Sequence, residues 1–183
     1  MADYIENGLR AMTKSLRDVV LPAVDPGDPL AKEQLSLAIE YLEFLRTRSE
    51  YLALQARWEL THYLEMADQV VVAADESDLS GDLITRAATA RDAIGDPTTV
   101  DKDLRAESEK LAAGIQSLLA SVPDSNAPLR ARIERVILDA TLRWIEFGRS
   151  WYEPLAIDPG AAELPSFELA LRAMTSAVGG THE

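Results

Sequence analysis

Residues 28–80 read DPLAKEQLSLAIEYLEFLRTRSEYLALQARWELTHYLEMADQVVVAADESDLS, and from Leu30 to Ser80 they contain neither glycine nor proline. A three-four spacing runs along Leu35, Ala38, Leu42, Leu45, Ser49, Leu52, Ala56, Glu59, Tyr63, Met66, Val70 and Ala73, which marks one side of a helix. Asp28 supplies an N-cap acceptor, and Pro29 suits the first helical position, where the N–H it lacks would have no partner. A helix from Pro29 to about Ala74 is roughly 70 Å long at 1.5 Å per residue. A rod of that length is stable only where other helices cover its apolar faces. The expected fold is therefore all-α: an antiparallel bundle of five to six helices, built around one very long helix over about residues 29–74, in a single domain spanning 1–183.

Proline and glycine divide the rest of the chain into further helical segments, and nowhere does an alternating pattern last long enough to suggest a strand. A first helix starting near Asp3 carries Ile5, Leu9, Met12, Leu16, Val19 and Ala23 on one stripe and stops before the corner Asp25-Pro26-Gly27-Asp28-Pro29. The long helix follows as its neighbour. A third, capped by Ser77 or Ser80, has the small buried set Leu83, Ala87, Ala88 and Ile94 and ends at Gly95-Asp96-Pro97. A fourth opens with Thr98-Thr99-Val100-Asp101 and runs through Leu104, Ser108, Leu111, Ile115, Leu118 and Val122. The fifth has the stripe Leu129, Ile133, Ile137, Ala140, Trp144, Phe147 and Trp151, with a wider apolar set of Val136, Leu138, Leu142 and Ile145 that marks it as the centre of the bundle. The bundle proper, about 3–153, is expected to use the first, second, fourth and fifth helices. A crossover and a short helix with Phe167, Ala170, Leu171, Met174 and Val178 on its inner face occupy 154–179, and 180–183 form a fraying tail. The other helices are too short to line the whole of the second. Either that helix breaks near its polar middle, Arg46 to Glu50, or two helices cover it in series, or a second subunit covers the excess.

Charge narrows the function classes. The 183 residues carry 31 acidic against 18 basic side chains, a net charge of -13, so the averaged field repels phosphate backbones and anionic headgroups. Neither nucleic acid nor membrane is expected as a partner. The absence of cysteine removes disulfides, thiolate nucleophiles and Cys-ligated metals. With no apolar run of spanning length and no basic-then-apolar leader, a cytoplasmic location is the simplest reading.

The sharpest chemical pattern is Glu59-Leu60-Thr61-His62, an E-x-x-H that sets a carboxylate and an imidazole on one helix face, as in ferritin-like di-iron bundles. Such a site takes a second E-x-x-H from another helix, and the one other histidine here is His182, in the tail. Glu59 and His62 are thus half a metal site at most, completed by Glu6, Glu40, Glu43, Glu146 or a second subunit. The competing reading is a partly buried helix surface paired with an arginine, and no metal or cofactor is expected. The second pattern is aromatic: Trp144, Phe147, Trp151 and Tyr152 with Gly148 between them, facing Tyr41, Phe44 or Trp58. Gly148 leaves a notch for a neighbouring helix or a ligand. Trp58, Trp144, Gly148 and Trp151 are the candidate pocket residues, in a pocket between the second and fifth helices where apolar walls meet Arg143, Arg149, Glu146 or His62. No nucleophile elbow, phosphate-cradling loop or dinucleotide fingerprint is present, so no catalytic residue is assigned. The expected function is a non-enzymatic helical-bundle interaction or accessory protein, acting as a homodimer or with a protein partner. The alternative is a bundle that binds a metal or small apolar ligand near Glu59, His62 and the Trp144 to Trp151 face.

Overall fold

The computed structural model describes residues 4–74, 80–160 and 163–179, and every regular element among them is helical. Their order is α1 (Tyr4–Ser15), a π turn (Leu16–Val20), α2 (Leu21–Ala23), α3 (Pro29–Arg48), a 3-10 turn (Ser49–Tyr51), α4 (Leu52–Ala73), α5 (Gly81–Gly95), α6 (Asp101–Ser121), α7 (Ala127–Tyr152), a second 3-10 turn (Glu153–Leu155) and α8 (Phe167–Gly179). None of these helices is long and apolar enough to cross a membrane. The chain divides into two compact units: Met1–Leu52 with Trp151–Glu163, and Ala53–Ser150 with Leu164–Glu183.

The long helix begins as expected. Asp28 caps it by accepting a 2.9 Å hydrogen bond from the Ala31 backbone N–H, and Pro29 occupies its first turn. It stays helical for 45 residues, but it is not one uniform α-helix, because Ser49–Tyr51 tighten into a 3-10 turn between α3 and α4. The cause is local. The hydroxyl of Thr47 donates to the Phe44 carbonyl at 2.9 Å and that of Ser49 to the Arg46 carbonyl at 3.1 Å, so side chains compete for acceptors of the helical ladder just where the pattern turns polar. The continuous seam is disrupted with it: α3 buries Ile39, Phe44 and Arg48, while Ala38 and Leu52 of the expected seam are exposed.

In the first unit, α1 packs on α3, and the expected α1 stripe does not form the contact. Ile5, Met12 and Val19 are 58–66% exposed, whereas Thr13 is 1% exposed and Leu9 and Leu16 are half-buried. Two things turn the helix away from its greasiest face. Thr13 satisfies its hydroxyl on the Leu9 carbonyl at 2.8 Å and so can be buried without a stranded donor. Charges then fix the phase: Arg46 of α3 lies 3.5 Å from Glu6 and 2.8 Å from Glu43, and Arg17 lies 3.6 Å from Glu43. Behind this pair, Arg48 is buried with its Nε donating to the Trp151 carbonyl at 3.1 Å, and its guanidinium lies 5.9 Å from the Phe44 ring centre and 5.7 Å from that of Trp151. Burial pulls the Arg48 pKa down, against the opposing pull of Glu153 and Tyr51. Tyr152 stacks on Phe44 at 5.5 Å.

The second unit is a four-helix core of α4, α5, α6 and α7, so the third helix of the sequence belongs to it and the first does not. Leu60, Val70, Leu83, Leu104, Leu111 and Ile133 are the large, fully enclosed members. All six positions of the α6 stripe are buried. On α5 the buried set is Leu83, Ala87 and Ala90, while Ala88 faces solvent. Small residues let α5 and α6 approach closely, and Gly114 sits at that contact: a Cβ there would lie 3.0 Å from the Arg86 Cδ and 3.1 Å from a Leu83 methyl. Arg57 of α4 ties down the end of α5 by donating to the carbonyls of Ile94 and Asp96 at 2.9 and 3.2 Å, the orphan acceptors of a helix terminus. The central helix is α4 rather than α7. It buries Ala56, Leu60, Thr61, His62, Leu64, Met66, Ala67 and Val70, on more than one side, whereas Leu138, Leu142 and Ile145 of α7 are exposed. Ser80 directly precedes α5 but makes no side-chain cap, and Ser77 lies outside the described residues. Of the α8 inner face, Phe167, Ala170 and Leu171 are half-buried; Met174 and Val178 fall outside the side chains described.

Candidate functional site

In the second unit, α4 and α7 run antiparallel and meet through aromatic rings. Trp58 lies 5.2 Å from Trp144 with nearly parallel planes, and 3.9 Å from Phe147 in a tilted contact. His62, one turn after Trp58, stacks on it at 5.5 Å and lies 5.5 Å from Trp144. Tyr63 closes the group with its ring edge toward His62 at 5.8 Å. The three-four spacing of Trp58 and His62 on one helix, and of Trp144 and Phe147 on the other, aligns them across the interface.

Beside this cluster opens a cleft of about 370 Å³. Trp58, Thr61, His62 and Glu65 of α4 form one wall, Arg143, Glu146, Phe147 and Ser150 of α7 the second, and Pro165 with Leu169 and Ala170 of α8 the third. Ser150 fixes that third wall at its root: its buried hydroxyl is 3.2 Å from the carbonyls of both Glu146 and Pro165. A second cavity of about 250 Å³ lies between α4, α6 and α7, bounded by Tyr63, Met66, Ile115, Leu119, Ile137 and Trp144. His62 lines both.

His62 is 5% exposed, and its Nε2 is buried without a hydrogen-bond partner. A stranded buried polar atom costs about 1–3 kcal/mol; among the described residues Ser80 Oγ is in the same state. Burial, reinforced by the positive charge of Arg143, pushes the imidazole down to about 4 from its ordinary 6.5. It is therefore neutral at physiological pH, with one N–H and one lone pair. Around the mouth, Glu65, Arg143 and Glu146 are exposed and form no ion pair among the described residues.

The E-x-x-H pair does not converge on one site. His62 faces Arg143 of α7, whereas the charges acting on Glu59 are Arg105 and Glu109 of α6, and Glu59 lines neither cavity. Burial raises the Glu59 carboxyl above its usual range, Arg105 counteracts this and Glu109 adds to it. Among the described residues no group of three His, Cys, Asp or Glu side chains is arranged to hold a metal ion. The pocket candidates separate too. Trp58 lines the larger cleft and Trp144 the smaller cavity, while Trp151 is a residue of the first unit set against Arg48. Gly148 is no notch for a neighbour: a Cβ there would meet nothing within 4 Å. Thr61, Ser150, Pro165 and Leu169 are lining groups that no sequence pattern singled out, whereas Ala170 lies on the expected inner face of its helix. The α4 and α7 members could have been found by extending the helical spacing from His62 and Phe147; nothing local to Pro165 or Leu169 announces them. No known protein family, curated protein or solved structure matches the chain.

Proposed function

We propose that the second unit is a non-enzymatic binding module for a small, largely apolar molecule, held in the cleft between α4, α7 and α8. The observation that carries this reading is the 370 Å³ cleft itself, with Trp58, Phe147 and Leu169 as apolar walls and Thr61, Glu65, Arg143 and Glu146 as polar groups beside them. Ligand sites are typically apolar clefts of this order with a few polar groups that set orientation, and Trp58, Phe147 and Leu169 supply the apolar area. A catalytic role is not favoured, because among the described residues no nucleophile is hydrogen-bonded to His62. A fluorescent apolar probe titrated into the protein tests the reading. Saturable binding that weakens at least about tenfold in Leu169→Glu, with helical content unchanged, is expected; equal binding by both proteins would refute it.

A second reading, self-association or docking on a partner protein, rests on a separate observation in the first unit. Ile5, Met12 and Val19 are exposed at a seven-residue spacing in α1 and the π turn that follows it. Repeats of that period serve helix pairing, and exposed apolar stripes mark interaction surfaces. Native mass spectrometry is expected to find a dimer that Met12→Glu converts to monomer. A monomeric parent protein would remove self-association.

A further inference from the structure

The cavity of about 250 Å³ between α4, α6 and α7 differs in chemistry from the larger cleft. Glu65, Arg143 and Glu146 line the cleft, whereas no charged side chain lines the cavity. Its polar members are Tyr63, Gln116, Thr141 and His62, and burial keeps His62 neutral at physiological pH. In a chain whose residues are 27% charged, that lining is a local departure. Met66 and Ile115 are buried and Gln116 is exposed, so the cavity runs from the surface into the flank of the core. Rings come from α4 and α7, with Tyr63 and Trp144 6.0 Å apart, and α6 adds the aliphatic groups of Ala112, Ile115 and Leu119. Water fills such a space poorly, since a held water needs several polar partners and Thr141 already donates its hydroxyl to the Ile137 carbonyl at 2.7 Å. Native interiors leave few voids larger than a water molecule.

We propose that this cavity is a second binding site, for a neutral molecule of one aromatic ring packed among Trp144, Tyr63, Ile115, Leu119 and Ile137. An apolar cavity of ~150 Å³ accepts benzene, so about 250 Å³ leaves room for a ring with a short alkyl substituent. A charged group on the ligand would lose its hydration and find no counter-charge in the lining. Neutrality is therefore the main selection. Ring shape is the second, because aromatic pairs contribute beyond the area they bury. The site takes nothing from α8, so it stands whether or not the larger cleft binds a ligand.

The test is a set of three probes, ethylbenzene, phenylethylamine and phenylacetate, titrated into the intact protein and followed by amide chemical shifts in nuclear magnetic resonance. They share one ring and differ in charge. Ethylbenzene is expected to bind saturably and about tenfold or more tightly than either charged probe. Ala112→Phe fills the cavity from α6 and should weaken ethylbenzene by about tenfold or more. Leu119→Phe is a second filler, from a half-buried position, and should act in the same direction should the first variant fail to fold. Leu169→Glu, on the α8 wall of the larger cleft, should leave ethylbenzene within about twofold. No saturable binding of ethylbenzene, or equal binding of a charged probe, would overturn the proposal. Loss of binding in Leu169→Glu with retention in the filled variants would place the ligand in the larger cleft, which overturns this site and leaves the cleft reading standing.

Discussion

Acid should weaken this fold through His62, and the size of the effect is set by its surroundings. In the unfolded chain the imidazole takes up a proton around its ordinary 6.5, whereas in the folded protein burial and then Arg143 hold it neutral down to about 4. Between those values the unfolded state binds the extra proton, so stability falls as the pH falls. The contribution is fully present above pH 6.5 and is lost progressively toward pH 4. At about 1.4 kcal/mol for each factor of ten in proton affinity, the loss reaches about 2 kcal/mol by pH 5 and about 3 kcal/mol by pH 4. The assay is urea denaturation followed by far-ultraviolet circular dichroism at pH 7.5, 6, 5 and 4.5, run on the parent protein and on His62→Phe. Phenylalanine keeps the contacts with Trp58 and Trp144 and cannot titrate. Carboxylates such as Glu59 contribute equally to both proteins, so the difference between the two curves isolates the histidine. The difference should open by about 2 kcal/mol between pH 7.5 and 5. Parallel curves would mean that His62 is protonated in the fold as readily as out of it, and the picture of a buried, neutral imidazole would fail.

Two further predictions concern the core and the buried charge. Leu111, fully enclosed at the middle of α6, should cost about 2–5 kcal/mol on Leu111→Ala, whereas Leu142→Ala on the exposed side of α7 should stay within about 0.5 kcal/mol by chemical denaturation; similar losses at both would mean the faces of the bundle are wrongly drawn. Arg48→Met keeps much of the side-chain volume but loses the hydrogen bond to the Trp151 carbonyl and the contacts with the Phe44 and Trp151 rings, a loss of about 2 kcal/mol in the same assay. An unchanged denaturation midpoint would show that the guanidinium contributes no net stability.

How far the sequence could be read depended on what each helix packs against. The α6 stripe from Leu104 to Val122 was legible position by position because apolar neighbours alone determine its phase. The α1 stripe was not. Its orientation is set by Glu6, Arg17, Glu43 and Arg46, and a periodicity argument weighs only the apolar residues. In the long helix, start and cap were legible from Asp28-Pro29, but the hydroxyls of Thr47 and Ser49 that tighten its middle are invisible to any count of threes and fours. The aromatic ends of α4 and α7 could be foreseen as neighbours from Trp58, Trp144 and Phe147. That Glu59 and His62 would turn to different helices could not, since three residues of separation allow one shared face without requiring a shared partner. The α8 wall of the cleft depends on Ser150 meeting the carbonyl of Pro165, a contact across a crossover with no pattern of its own.

The hydrogen bond from Arg48 to Trp151 joins residues 103 positions apart, and this separation bears on the order in which the protein assembles. The first unit is drawn from two stretches of chain that flank the main body of the second, Ala53–Ser150. Bringing its two parts together from a disordered chain costs more entropy than closing a shorter loop such as the 23-residue separation between Asp68 and Arg91, by about 1.3 kcal/mol from the logarithm of the lengths alone. Prior folding of α4 to α7 removes most of that cost by fixing what lies between. We therefore expect the four-helix core to form first and the α1 and α3 unit to close last and open first. Amide hydrogen exchange should find the backbone of α3 exchanging at lower opening free energy than that of α6, and equal protection in both would mean that the two units fold as one.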